Sequence, residues 1–158
     1  ILKARGVSYK SLACLIENTK GHLTEISIGY RHDDFERLIK AIYQNCPNLK
    51  YLQLSLNNGN LLDFEKLLTS CQYLEGLVVL TNANRTEGFV WNNLFKILSE
   101  SSPANLYKFK FYFATYIYRM ESFFIFFSFL SIYQIHTYTY KNSPIYITCK
   151  EKKKYFLK

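Results

Sequence analysis

A leucine spacing that recurs along the chain restricts the possible folds more than any other feature of the sequence. The clearest copy is residues 45–54, Asn-Cys-Pro-Asn-Leu-Lys-Tyr-Leu-Gln-Leu, in which a helix end and a tight turn lead into a strand with Leu-x-x-Leu-x-Leu spacing. Successive copies are 26, 25 and 32 residues apart, and the excess in the last step falls in the polar stretch 81–90. Aligned on their first leucine, the copies begin at Leu23, Leu49, Leu74 and Leu106.

The turn and the helix ahead of each strand repeat as well. Cys46 and Cys71 both stand three residues before the aligned leucine, and a Ser-Pro pair at 102–103 takes nearly the same place in the last copy. Apolar residues at helical spacing precede each turn, and Asp33 three residues before Glu36 gives the second helix a capping-box-like start. The apolar positions are Phe35, Leu38, Ile39 and Ile42, then Phe64, Leu67 and Leu68, then Leu94, Phe95, Ile97 and Leu98.

The repeated unit of strand, loop, helix and turn is too small to bury its own apolar sides, but stacked copies form a continuous core. The first two steps fall in the range of roughly 20–29 residues that is typical of leucine-rich repeats. Residues 1–113 are therefore predicted to be an α/β leucine-rich-repeat solenoid of about four strand–helix repeats with a parallel concave sheet. Residues 1–22 are interpreted as the end of a preceding repeat, with Leu12, Leu15 and Ile16 on one helical face. An ordinary α/β domain with chance periodicity is the alternative.

Charge and cysteine usage narrow the class of partner and the compartment. The net charge is +8, but residues 114–158 hold seven Lys and Arg against two Glu, so the predicted repeats carry only +3. A nucleic-acid-binding domain would concentrate positive charge on its folded part, so nucleic acid is not expected as a partner. The four cysteines form no Cys-x-x-Cys pair or zinc-like cluster. Cys46 and Cys71 are interpreted as buried free thiols in a reducing compartment, the cytoplasm or the nucleus.

The tail, residues 114–158, follows a different pattern. It contains 13 of the 28 aromatic residues, and residues 122–140 include no Lys, Arg, Asp or Glu. Three interpretations are open: a membrane anchor within 122–140, strands or a helix that cap the open end of the repeats, or a non-homologous segment such as translated intron. The first would make the chain a membrane-anchored repeat protein, with the lysines at 152–154 as a cytoplasmic flank.

No constellation of residues in the sequence indicates catalysis. Nucleotide-binding glycine loops, Gly-x-Ser-x-Gly and His-Glu-x-x-His are absent, so no enzyme activity, cofactor or metal site is predicted. His22, His32 and His136 are far apart, and His32 in the sequence His-Asp-Asp is interpreted as part of a solvated loop. Trp91 at the head of an amphipathic helix is interpreted as a core residue, with a binding hot spot as the alternative.

The surface of the predicted sheet is therefore where function is expected. In such strands the residues between the leucines face the concave side, where a protein partner would make contact. The row would run from acidic through aromatic and polar to basic, with Tyr51 and Tyr112 as anchors because Tyr gives a large contact area at low entropy cost. The predicted partner-binding residues are Glu25, Ser27, Tyr51, Gln53, Ser55, Val78, Lys108, Lys110 and Tyr112.

A family resemblance is carried by the segments 42–52, 64–68, 71–77, 91–98, 102–103 and 109–111. These segments resemble the leucine-rich-repeat region of F-box proteins, in particular the expanded fungal groups, over roughly residues 10–113. The resemblance implies the substrate-recognition repeats of an F-box ubiquitin-ligase receptor, whose N-terminal F-box docks the adaptor of a cullin-type ligase. No F-box is visible in this chain, so the adaptor is expected as a partner only through a module missing from it.

Overall fold

The computed structural model describes residues 1–29, 35–81, 89–112, 135–138 and 145–149, in which strands and helices alternate. These residues form an α/β structure with a five-strand parallel sheet, four α-helices and two further strands. The elements in chain order are β1 (Leu2–Ala4), α1 (Tyr9–Glu17), β2 (Glu25–Ile28), α2 (Phe35–Asn45), β3 (Tyr51–Leu56), a 3₁₀ turn (Asn58–Asn60), α3 (Leu61–Ser70), β4 (Gly76–Thr81), α4 (Trp91–Ser101), β5 (Lys108–Tyr112), β6 (Ile135–Tyr138) and β7 (Ile145–Cys149).

The sheet follows the order of the chain from β1 to β5, with every neighbouring pair parallel. Its register places Ile26, Leu52, Leu77 and Phe109 opposite one another, so the predicted alignment of the four copies is confirmed. Leu2 joins this column through β1, which pairs with β2 and lies 24 residues before it. Strand β1 is not part of the prediction, which interprets residues 1–22 as the end of a preceding repeat with a helical face.

The hydrophobic core lies between the helices and one face of the parallel sheet. Side chains alternate across a strand, and in β3 the residues Leu52, Leu54 and Leu56 are at most 1% exposed. Each helix packs against the next one along the chain, from α1 to α4, so the helices form one layer. The opposite face of the five strands is left without a helix among the described residues.

The turns after α2, α3 and α4 share a backbone hydrogen bond. The N–H groups of Leu49, Leu74 and Leu106 donate to carbonyls three residues earlier, at 3.2, 3.1 and 3.1 Å. These leucines are buried in the turn. The sequence predicted that each strand begins at its leucine, but each strand begins two residues later. The leucine N–H is used within its own turn, so the ladder to the neighbouring strand starts later.

The two cysteines of this turn are buried on adjacent copies, which confirms their interpretation as packed free thiols. The Cys71 thiol donates to the carbonyl oxygen of Cys46 at 3.6 Å. Burial raises the pKa of Cys46 to about 11, since the thiolate would lose its hydration. Burial, with a smaller contribution from Cys46, raises the pKa of Cys71 to about 12. Both groups therefore stay neutral at physiological pH.

The buried face of helix α1 differs from the predicted one at Leu15. Its core residues are Tyr9, Leu12, Ala13 and Ile16, at the spacing i, i+3, i+4 and i+7, which places Leu15 outside the buried stripe. Leu15 is 51% exposed. Tyr9 is fully buried on this face instead, and its hydroxyl donates to the carbonyl oxygen of Gly29 at 3.1 Å.

Helix α4 begins at Trp91, which is only 5% exposed, so the core interpretation of this residue is confirmed. Its ring stacks on Phe95 with 5.8 Å between centroids and meets Phe111 edge-on at 5.9 Å. Phe111 lies in β5, and these aromatic contacts therefore join the last helix to the last parallel strand.

The described parts of the tail continue the sheet beyond β5. Strand β7 pairs antiparallel with β5, and β6 pairs antiparallel with β7. These nine residues thus add two antiparallel strands at the β5 edge of the sheet. Of the segment 122–140, only 135–138 are described, so the membrane-anchor interpretation falls largely outside the described residues. Asp33, the predicted N-terminal cap of α2, and His32, assigned to a solvated loop, also lie outside them. None of the described helices has the length and apolar character needed to span a bilayer.

Candidate binding face

The open face of the sheet, opposite the helices, carries a groove with a volume of about 440 Å³. Strands β1 to β5 form its floor, and their parallel register lines up side chains from successive copies in columns. One column holds Glu25, Tyr51, Gly76 and Lys108, and the next holds Lys3, Ser27, Gln53, Val78 and Lys110.

Tyr51 lies across the neighbouring strand instead of pointing straight out of the sheet. A Cβ atom placed on Gly76, its partner in register, would come within 2.6 Å of the Tyr51 Cδ1 atom. The Tyr51 hydroxyl donates to Glu75 Oε2 at 2.9 Å, so both ends of the side chain are fixed. The missing side chain of Gly76 therefore creates the space in which the Tyr51 ring rests.

Glu75 also forms an ion pair with Lys50 of the preceding copy, whose Nζ atom lies 3.4 Å from Glu75 Oε1. The hydrogen bond to this carboxylate, together with a smaller effect of Tyr107, raises the pKa of Tyr51 to about 12. Ionisation would cost the phenol its donated hydrogen bond and place a second negative charge beside Glu75. Tyr51 is thus a neutral, fixed donor at physiological pH.

Lys108 extends over two aromatic rings at the β5 end of the groove. Its Nζ atom lies 5.6 Å from the centroid of Tyr51 and 5.0 Å from that of Tyr107. Each such contact is worth roughly 0.5–1 kcal/mol at an exposed site, and it orients the ammonium without neutralising its charge. The groove therefore presents an oriented positive charge beside a fixed aromatic ring.

The structure brings most of the predicted site residues together in this groove. Lys108 is exposed, and the others that line it are half-buried: Glu25, Ser27, Tyr51, Gln53, Val78 and Lys110. The prediction for Ser55 is wrong, because its side chain is 4% exposed and its hydroxyl donates to the carbonyl oxygen of Leu80 at 3.2 Å. Ser55 holds the neighbouring strand and is not available to a partner. The Tyr112 backbone is part of β5, and its side chain lies outside the described part of the structure.

Sequence reasoning missed the residues that set the geometry of the face: Lys50, Glu75, Gly76 and Tyr107. A glycine at an outward position, aligned with Tyr51 of the preceding copy and Lys108 of the next, is the signal that could have revealed the space for the ring. The contacts of Glu75 could not be read from the sequence, because it stands in the turn before the strand and not in the predicted outward row.

The groove offers several kinds of non-covalent contact. It combines an aromatic ring, an amide, a small aliphatic side chain and charges of both signs. No cluster of three His, Cys, Asp or Glu side chains suited to a metal occurs among the described residues. Comparisons with protein-family models, with curated proteins and with solved structures found no match to this chain.

Proposed function

We propose that the repeats form a leucine-rich-repeat solenoid and bind another protein through the open face of the parallel sheet. The observation that carries this proposal is the groove of about 440 Å³, whose floor is built from side chains of five successive strands. Strand pairing in chain order and the recurrence of the turn hydrogen bonds support the solenoid. Extended binding faces of this kind are what stacked repeats commonly provide.

The properties of Tyr51 support the choice of a protein partner. Its ring is held by Gly76 beneath it and by the bond to Glu75, so binding costs little additional side-chain entropy. Tyr is also enriched among residues that dominate binding energy at protein interfaces. The neighbouring Gln53 and Val78 are half-buried and offer a hydrogen-bonding group and an apolar surface beside this ring.

The biological role that we propose is substrate recognition in a ubiquitin-ligase receptor of the F-box type. The resemblance of the repeat segments to that family supports it. In this role the open face holds the protein to be modified, and a separate F-box recruits the adaptor of the cullin-type ligase.

The binding claim can be tested by site-specific photo-crosslinking in cells that express the full-length gene product. A benzophenone amino acid replaces Gln53 in the groove or, as the control, Lys40, which is exposed on α2 of the helical layer. We expect a defined crosslinked protein from position 53 and none of the same mass from position 40. Identical products at both positions, or none at 53, would contradict binding at this face.

The ligase role requires a second measurement. Co-precipitation of the full-length gene product with the cullin adaptor should succeed, and the protein captured at position 53 should accumulate when cullin activation is blocked. Loss of adaptor binding or an unchanged abundance of the captured protein would remove the ubiquitin-ligase role and leave the binding role in place.

A further inference from the structure

We propose that the groove takes an extended segment of the partner that runs across the strands, with a carboxylate side chain at Lys108 and a cationic side chain at Glu25. The two charges of the segment would be about four residues apart. This inference rests on the proposed function, since it specifies the chemistry of the protein held on the open face. It is argued from the positions of the charges along one column of the groove.

Glu25 and Lys108 stand at opposite ends of the same column, on β2 and β5. Three strand spacings of about 4.8 Å separate them, or about 14 Å along the sheet. An extended chain advances about 3.3 Å per residue, so about four residues bridge this distance. A helix would cover only about 6 Å in four residues, which makes an extended segment the better fit.

Glu75, in the turn beside this column, is compensated within the protein. Glu75 is balanced by Lys50 at 3.4 Å and accepts the Tyr51 hydroxyl. In the described part of the chain, Glu25 and Lys108 take part in none of the ion pairs. The contacts of the Lys108 ammonium are with the rings of Tyr51 and Tyr107, which leave its charge available. This column of the groove therefore has a negative end and a positive end. In the next column, Lys110 adds positive charge on β5, and Lys3 lies on β1, one strand beyond Glu25.

The middle of the groove suits the residues between the two charges. The fixed ring of Tyr51 and the half-buried Val78 present apolar surface, and Gln53 offers an amide that can bind a backbone carbonyl or N–H group. The predicted occupant is thus an extended segment with an acidic residue, an apolar or small polar centre and a basic residue. Opposite charges select the orientation of such a segment and exclude like-charged ones.

The probes are synthetic fluorescent peptides containing Glu-Thr-Val-Thr-Lys or the reverse order Lys-Thr-Val-Thr-Glu, flanked by Gly and Ser, and β-branched residues keep them extended. Affinity for the full chain is measured by fluorescence anisotropy at low salt. We expect one of the two orders to bind at least about fivefold more tightly than Gln-Thr-Val-Thr-Gln and than the short-spaced Glu-Thr-Lys, with the advantage reduced at high salt. Equal affinities, or no binding by any peptide, would overturn the inference.

The second part of the test reverses the two charges in the protein and measures which peptide it then prefers. The double variant Glu25→Lys/Lys108→Glu should prefer the peptide with its charges exchanged, by about fivefold, whereas the single variants should bind both orders weakly. The matched control Lys96→Glu/Glu100→Lys makes the same changes at exposed positions of α4 and should leave the preference unaltered. Circular dichroism confirms that each variant is folded.

The same experiment separates this inference from the proposed function. If crosslinking from position 53 persists and charge reversal leaves peptide preference unchanged, the face binds a protein but the charge pattern does not select it. If crosslinking also fails, the proposed function is overturned together with the inference.

Discussion

The two sides of the same five strands differ in how closely their side chains repeat from one copy to the next. On the side facing the helices, the register column Ile26, Leu52, Leu77 and Phe109 is apolar throughout and almost fully buried. On the open side, the column one residue earlier holds an acid, a phenol, a glycine and a base. Stacking requires every copy to fill the same space between sheet and helix, so the core side must repeat. The open side has no such requirement and can differ from copy to copy.

The largest effect expected from this contrast is in thiol reactivity. Cys46 and Cys71 are buried in the turn column, whereas Cys14 is exposed on α1. Reaction of the two buried thiols requires an opening of the turn, so we expect it to be on the order of a thousandfold slower than that of Cys14. Alkylation with mass-spectrometric readout of each peptide at pH 8 gives the three rates. In denaturant the rates should converge, and comparable rates in the native protein would show that the core side is open.

Substitutions at adjacent positions of β4 test the contrast by stability. Leu77 is 1% exposed in the core column, and Leu77→Ala should lower the free energy of unfolding by about 3 kcal/mol through lost burial and a residual cavity. Val78, the next residue, is half-buried on the open side, and Val78→Ala should cost less than about 1 kcal/mol. Urea unfolding of both variants measures the difference. Similar losses at the two positions would mean that the open side is packed as a second core.

The same contrast explains how much of the fold the sequence revealed. The core side could be predicted because its requirement recurs: the spacing of the leucines identified β2 to β5 and their register. Strand β1 was missed because it contributes only Leu2 and Ala4 to the core side and lacks the leucine triplet. Leu15 was misplaced because Tyr9, which precedes the recognised apolar group, defines the true buried face of α1.

The sequence was enough to locate the open side of the sheet, but not to predict how its side chains are positioned. Alternation along the strands identified Glu25, Gln53 and Lys108 as outward residues. It also placed Ser55 in that row, because alternation predicts the face to which a side chain points but not whether the side chain is buried there. The position of the Tyr51 ring depends on residues of two neighbouring copies, and no pattern within one copy contains that information.

Gly76 is an outward position at which tight packing, as on the core side, should restrict the side chain that fits. A methyl group there would overlap the Tyr51 ring, so Gly76→Ala should cost about 1–2 kcal/mol and displace the ring from Glu75. In a Tyr51→Ala background the same change should be nearly neutral, because nothing then occupies the space. A double-mutant cycle in urea measures this coupling. Additive costs would mean that the glycine is required for the backbone and not for the ring.

The smallest expected effect, the titration of Tyr51, tests whether the open side is pre-organised. Its pKa is raised to about 12 in the folded protein, chiefly because its hydroxyl donates to Glu75. An unfolded chain releases this proton near pH 10. The bond therefore stabilises the fold fully below pH 10, and its contribution is lost as the pH rises from about 10 to 12.

Ring-carbon NMR of ¹³C-labelled tyrosine, assigned by the Tyr51→Phe variant, follows this ionisation directly. Glu75→Gln should move the midpoint of Tyr51 down towards 10, because the neutral amide accepts a weaker hydrogen bond and carries no charge to oppose the phenolate. The control Glu100→Gln, on the outer surface of α4, should leave the midpoint unchanged. A Tyr51 midpoint near 10 in the wild-type protein would mean that the ring is free in solution. The open side would then differ from the core side in rigidity as well as in repetition, and its complementarity to a partner would have to form on binding.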